Sequence, residues 1–120
     1  MPQTILIAAT DPNIVYLLQR YAEATGFRTI ETSPDKDVQE LAQQMAPALI
    51  ILENDFPGRV LLSVLERLKA ASATCKIPIV LYSCLDTEPS KPFEGVAGYL
   101  LKSVRYDDFL AVLKQAGMLI

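Results

Sequence analysis

The chain has 120 residues, of which 51% are hydrophobic and 21% are charged, and its net charge is -3. This composition excludes a disordered chain, and the length predicts a single domain, residues 1–120, with a core that needs no metal or disulfide. The basic residues are scattered, which argues against direct nucleic-acid binding, and no apolar run is long enough to span a membrane.

The residue types that are rare or absent exclude several kinds of catalytic and metal site. There is no histidine, which excludes histidine-based acid–base, nucleophilic and metal chemistry. No glycine-rich phosphate loop of the form GxxxxGK is present, so we expect no enzymatic activity. Cys75 and Cys84 flank a predicted strand and lie too far apart for an internal disulfide. A reduced, cytoplasmic protein is the simplest interpretation.

The first quarter of the chain predicts a strand, a helix and a second strand. Thr4–Ala8 is apolar enough for a buried parallel strand. Asp11 can cap the following helix with Pro12 at its first position, and Gly26 can end that helix. Phe27–Thr32 mixes polar and apolar residues, which is typical of an edge strand.

The middle of the chain repeats this alternation. Ser33-Pro34 is a second helix start signal, and the helix should end before Pro47. The apolar runs Ala48–Leu52 and Ile77–Ser83 predict the third and fourth strands. Between them an apolar stripe predicts the third helix, with Leu61, Val64, Leu65 and Leu68 at helical spacing.

The last third contains the weakest element. Residues 84–95 carry two prolines and no apolar stripe, so the helix between the fourth and fifth strands should be short or missing. Ala97–Leu101 predicts the fifth strand. A final helix is indicated by a stripe that ends near Gly117 and consists of Phe109, Val112, Leu113 and Ala116.

Strands and helices in alternation predict an α/β fold, a doubly wound parallel sheet of order 2-1-3-4-5 with helices on both faces. Function in such sheets gathers at the carboxyl ends of the strands. The residues expected there are Ala9, Thr10, Glu53, Ser83 and Lys102.

Four segments carry a resemblance that covers the whole chain. ILIAATDP, PALIILENDFPG, IPIVLYS and GVAGYLLKS resemble the first, third, fourth and fifth strands of a response-regulator receiver domain of two-component signalling. The resemblance implies a flavodoxin-like fold. It also implies a site in which an acidic pair and an acceptor aspartate hold Mg²⁺, a hydroxyl and a lysine bind the phosphoryl group, and an aromatic residue switches position.

Compared with that family, the chain keeps only part of the site. Ser83 occupies the hydroxyl position, Lys102 the lysine position and Tyr99 the aromatic switch position. Ala9 and Thr10 stand where the acidic pair is expected, and neither brings anionic charge to a metal.

The remaining family positions are also altered. Glu53 stands at the acceptor position, and Ser103 replaces the proline that usually follows the lysine. Leu101, Ser103 and Val104 complete the predicted switch and interface region beside the lysine. We therefore expect no Mg²⁺ site, no other cofactor and a degenerate pseudo-receiver.

The favoured hypothesis is a non-phosphorylated module for protein–protein interaction in signal transduction. It would present the fifth strand, the final helix and residues 84–95 to a protein partner, with a homodimer left open. Two alternatives stay open: phosphorylation through Asp55 or Asp11, and a sensor of small anions or other ligands in the vacated acidic pocket. Glu53 facing Lys102 is interpreted either as a built-in phosphate mimic or as a residual ion pair.

Overall fold

The computed structural model describes residues 3–32, 38–53, 58–83, 96–101 and 104–117, with the backbone alone for residues 58–62. Within these ranges the chain forms five strands and four helices. The strands are β1 (Thr4–Ala8), β2 (Arg28–Thr32), β3 (Leu49–Glu53), β4 (Ile79–Tyr82) and β5 (Gly98–Leu100). The helices are α1 (Pro12–Ala24), α2 (Val38–Met45), α3 (Gly58–Ala70) and α4 (Tyr106–Gln115).

All strand pairs are parallel, and the sheet has the order β2-β1-β3-β4-β5. This confirms the predicted fold and strand order. The predicted strand ends shift by one or two residues. Ile77 was expected in the fourth strand, but its N–H donates to the Thr74 carbonyl at 3.0 Å and so belongs to the preceding turn. The third strand extends one residue further than predicted and includes Glu53.

The ends of α1 follow the predicted signals. Asp11 has an extended backbone, and its side chain accepts a hydrogen bond from the N–H of Asn13 at 2.9 Å. Pro12 occupies the first helical position, where a missing N–H costs nothing. Gly26 has a φ of 89°, which a residue without Cβ adopts readily, and the chain then turns into β2.

The core consists of two apolar clusters on opposite faces of the sheet. Side chains alternate along each strand, so Ile5 and Ile7 of β1 face one cluster while Leu6 and Ala8 face the other. This burial on both faces is why the strands are almost continuously apolar. The helix residues buried against the first face are Leu18, Ala22, Phe109, Val112 and Leu113. Those buried against the second face are Val38, Ala42, Leu65 and Leu68.

The two edge strands of the described sheet, β2 and β5, differ in their exposure and in their contact with helices. β2 is an edge strand, as predicted, and it carries the exposed residues Arg28 and Glu31. At β5, α4 packs over Gly98, where an added Cβ would lie 3.7 Å from Val112, an ordinary contact distance, and would require only the Gln115 side-chain end to move. Gly117, with a φ of 78°, follows α4 as its predicted stop.

Two predictions about helices fall outside the described residues. These are the start signal Ser33-Pro34 and the short or missing helix within residues 84–95. Among the helices that the structure describes, none combines the length and the apolarity that crossing a bilayer requires.

Candidate functional site

The carboxyl ends of the central strands place four of the predicted site residues at one edge of the sheet. Ala8 of β1 pairs in register with Leu52 of β3, so Ala9 and Glu53 lie at the same level of two neighbouring strands. Glu53 in turn pairs with Tyr82 of β4, and Ser83 follows directly. Parallel strands bring these positions together because all their carboxyl ends meet at the same edge.

Glu53 is the one acidic side chain among the buried residues that the structure describes, with 9% of its surface exposed. Its carboxylate oxygen Oε2 accepts a hydrogen bond from the Thr10 hydroxyl at 2.9 Å. Thr10 itself is exposed, so the contact is only partly buried, and a hydrogen bond of this kind contributes about 1 kcal/mol. The carboxylate at the acceptor position is therefore held by a neutral donor from the neighbouring strand end.

Ala9 contributes no ligand atom from its side chain. It is 8% exposed and belongs to the apolar cluster under α1, and its N–H donates to the Thr32 carbonyl at 3.2 Å. Thr10 beside it offers a hydroxyl. Hard cations such as Mg²⁺ prefer several oxygen ligands that include carboxylates. Over the described ranges no three acidic or cysteine side chains form a metal-binding group, and the predicted lack of Mg²⁺ binding stays a prediction.

Ser83 lies at the end of β4 and is almost completely buried, with 2% exposed. Its N–H donates to the Leu100 carbonyl at 2.9 Å, which ties this strand end to β5. Lys102, Ser103 and Asp55 lie outside the described residues. The predicted pairing of Glu53 with Lys102 and the predicted role of Asp55 therefore stay hypotheses.

The predicted switch residues lie on and after β5. Tyr99 pairs in register with Leu81 and packs, partly buried, against the apolar cluster under α2 and α3. Leu101 is half-buried, and Val104 is buried in the opposite cluster under α1 and α4. The switch positions thus face both sides of the sheet.

An aromatic group connects α1 to the start of α4. The Tyr21 hydroxyl donates to the Val104 carbonyl at 3.3 Å. The Tyr21 ring lies 5.5 Å from the Tyr106 ring and 5.8 Å from the Phe109 ring, measured between centroids. Tilted rings at these distances attract each other beyond their area burial. Packing on α1 therefore supports the chain segment that follows β5.

Asp11 is placed as a helix cap. It is exposed, and its carboxylate is engaged by the Asn13 N–H. This contact accounts for the residue without a ligand role and agrees with the cap that the sequence predicts.

Sequence reasoning missed two features of this region. It did not pair Thr10 with Glu53, although both follow neighbouring strands. It also missed a groove of about 460 Å³ beside Thr10. This α1–β2 groove is lined by Ala9, Thr10, Pro12, Val15, Tyr16, Gln19, Glu31 and Thr32. Residues 12, 15, 16 and 19 lie on one face of the predicted first helix, and this spacing is the signal in the sequence for one wall of the groove.

Comparisons with known proteins bear on the class of this domain. No family model matches the chain. It is 29% identical over 118 residues to the nitrate/nitrite response regulator protein NarL of Escherichia coli K12, which covers 96% of this chain and 55% of NarL. The chain therefore spans about half the length of that relative. It is also 25% identical over 112 residues to the protein PilH of Pseudomonas aeruginosa, covering 91% of this chain and 93% of PilH.

Solved structures agree closely in fold. The chemotaxis protein CheY4 of Vibrio cholerae superposes with a TM-score of 0.81 at 17% identity, over 97% of this chain and 99% of CheY4. The receiver domain of the sensor histidine kinase PA1611 of P. aeruginosa superposes with a TM-score of 0.81 at 16% identity, over 98% of this chain and 99% of that domain. That structure holds a magnesium ion in its active-site cleft. The fold is thus the CheY-like, flavodoxin-like one. Together, the relatives and the structural neighbours support a response-regulator receiver domain of signalling proteins.

Proposed function

We propose that this receiver domain works without accepting phosphate and acts as a protein–protein interaction module in signal transduction. The observation that carries the proposal is the hydrogen bond from the Thr10 hydroxyl to the Glu53 carboxylate. The proposal includes no bound metal and no catalytic reaction of the domain itself.

The end of β1 lacks the charge that phosphoryl transfer needs. Phosphoryl transfer to a carboxylate brings more negative charge to a group that is already anionic, and a divalent cation normally compensates it. After β1 the chain offers a methyl group at Ala9 and a hydroxyl at Thr10. Neither attracts Mg²⁺ as a carboxylate does, so the compensating charge is missing where it is needed.

The carboxylate that remains at the acceptor position already has a partner. Glu53 is one methylene longer than aspartate, and one of its oxygens is already engaged by Thr10 at 2.9 Å. A metal or a phosphoryl group that took this oxygen would displace the Thr10 contact. The buried carboxylate is thus stabilised in its resting arrangement by a neutral neighbour.

The proposed interaction surface comprises β5, α4 and residues 84–95. Tyr99 is only partly buried at the start of this surface. Tyr106, Asp107 and Asp108 are exposed in the first turn of α4. An aromatic side chain beside exposed carboxylates suits a partner with an apolar contact and basic groups.

Intact-mass measurement after incubation with acetyl phosphate and Mg²⁺ tests the phosphorylation part. We expect an unchanged mass for the wild-type chain. The matched control is the variant Ala9→Asp/Thr10→Asp/Glu53→Asp, which restores the family residues and should gain one phosphoryl group. A phosphoryl group on wild-type protein contradicts the proposal, and peptide mapping would then show whether Asp11 or Asp55 carries it.

Affinity capture with equal amounts of folded bait tests the interaction part. Tyr99→Ala and the α4 charge reversal Asp107→Lys should both lose a partner that the wild-type chain retains. Glu66→Ala, an exposed change on α3, should keep it. Retention of every partner by the first two variants would place the interaction surface elsewhere.

A further inference from the structure

The α1–β2 groove lies between α1 and the edge strand β2, at the carboxyl end of β1. Its volume of about 460 Å³ falls within the range of about 300–1,000 Å³ typical of small-molecule sites. The wall on α1 consists of Pro12, Val15, Tyr16 and Gln19, and Glu31 stands opposite on β2.

Thr10, Gln19 and Glu31 each offer an acceptor atom to the groove. The single hydroxyl proton of Thr10 is donated to Glu53, so its oxygen presents lone pairs to other neighbours. The side-chain amide of Gln19 donates to the Glu31 carboxylate, which leaves the amide oxygen and the second carboxylate oxygen as acceptors. A ligand that complements these groups must be rich in hydrogen-bond donors.

The charge and the aromatic lining of the groove point the same way. Among the described residues that line the groove, Glu31 is the one that carries a charge. Tyr16 is 61% exposed, and the Arg20 guanidinium already lies 5.9 Å from its ring centroid. That distance is at the outer limit of about 6 Å for a cation–π contact, so the Tyr16 ring is placed to attract a guanidinium group.

We propose that the α1–β2 groove binds an organic cation with a guanidinium head and a short apolar stem. The head pairs with Glu31 and the acceptors of Gln19 and Thr10, while the stem lies along Val15 and Pro12. A guanidinium suits this set because its planar fork carries five donors and no acceptor. The site shares Thr10 with the function proposed above, but its charge and its aromatic wall come from Glu31 and Tyr16, which lie outside the phosphorylation positions.

Titration of the ¹⁵N-labelled chain followed by amide chemical shifts tests the proposal with three probes. These are butylguanidine, acetyl-arginine amide and acetyl-citrulline amide, whose urea replaces the charged guanidinium at nearly the same shape. We expect both guanidinium probes to shift the amides of Thr10, Gln19 and Glu31 and the neutral probe to leave them unchanged. Tighter binding of butylguanidine indicates a free small molecule as the natural ligand, and tighter binding of acetyl-arginine amide indicates an arginine side chain. Both outcomes support the guanidinium site.

Two variants connect the binding to the named groups. Glu31→Gln, an exposed change of nearly equal shape, should weaken guanidinium binding about tenfold, equivalent to about 1.4 kcal/mol. Tyr16→Ala should weaken it as well, whereas the exposed control Glu66→Gln on α3 should not. At about 10 mM probe, even binding with a Kd of several millimolar becomes visible. If no amide signal shifts at that concentration, the proposal is overturned. An equal response to the neutral probe, or unchanged affinity in Glu31→Gln, overturns it too.

Discussion

At the scale of single residues, the carboxyl edge of the sheet depends on how buried polar groups find partners. Thr10 and Glu53 are 43 positions apart in the chain, and their contact joins the ends of β1 and β3. A second such contact lies after α3, where the buried Thr74 hydroxyl donates to the Leu68 carbonyl at 2.7 Å. Buried polar groups without partners are costly, so the contact that satisfies the buried Glu53 and the contact that satisfies the buried Thr74 both contribute to stability.

Replacing Thr10 with valine should lower the free energy of unfolding by about 1 kcal/mol. The change removes the donor for Glu53 Oε2, and water replaces it only in part because Glu53 is 9% exposed. Urea unfolding checks this value. In the background of Glu53→Leu the same Thr10→Val change should cost close to nothing, because the acceptor is gone. Equal losses in both backgrounds would show that the hydrogen bond is not the cause.

At the scale of elements, each helix end and strand end has an identifiable physical reason. α1 begins at a capping carboxylate and a proline, and it is followed by a glycine with positive φ. α4 begins with Asp107 and Asp108 in its first turn, where negative charge is favourable, and the Arg105 N–H donates to the Asp108 carboxylate at 2.9 Å. These local contacts orient the two helices that pack on the same face of the sheet.

The cap of α1 makes a direct prediction. Asp11→Ala should lower the free energy of unfolding by about 0.5–2 kcal/mol, since the Asn13 N–H loses its acceptor. Asp11→Asn keeps an acceptor oxygen and should stay within a few tenths of a kcal/mol of the wild type. Chemical denaturation of the three proteins measures this. If the asparagine variant were as unstable as the alanine variant, the charge and not the cap would explain the role of Asp11.

At the scale of the whole molecule, one sheet supports two apolar clusters. A destabilising substitution on either face should therefore destabilise the whole domain. Leu68 of α3 is fully buried and Phe109 of α4 is 1% exposed, and the two side chains pack on opposite faces of the sheet. Because both clusters include side chains from the same strands, we expect the domain to unfold in one transition.

This expectation is tested with a cavity on one face. Leu68→Ala should lower the free energy of unfolding by about 2–5 kcal/mol. Phe109→Leu removes less volume on the opposite face. It should also lower the urea concentration at the midpoint of the same single transition. The exposed change Tyr16→Ala should stay within about 0.5 kcal/mol of the wild type. Urea curves followed by circular dichroism and by tyrosine fluorescence should coincide, and two separate transitions in either variant would contradict the shared core.

The elements and their order followed from the linear pattern of residues. Near-continuous apolar runs indicate parallel strands because both of their faces are covered, and the half-polar run at Phe27–Thr32 correctly indicates an edge strand, observed at Arg28–Thr32. The cap at Asp11 and the stop at Gly26 also followed, since their causes lie within a few neighbouring residues. The positions of Ala9, Thr10, Glu53 and Ser83 at one edge came from strand order alone.

What folding added is contact between segments that are distant in the chain. Three features depend on strand register and on how closely the helices pack. These are the hydrogen bond between Thr10 and Glu53, the groove between α1 and β2, and the contact of Tyr21 with the Val104 carbonyl. Local sequence determines whether a residue lies at a strand end, because periodicity reflects burial. It does not determine which side chain an end residue meets, because that depends on angles and distances set only when the whole sheet has formed.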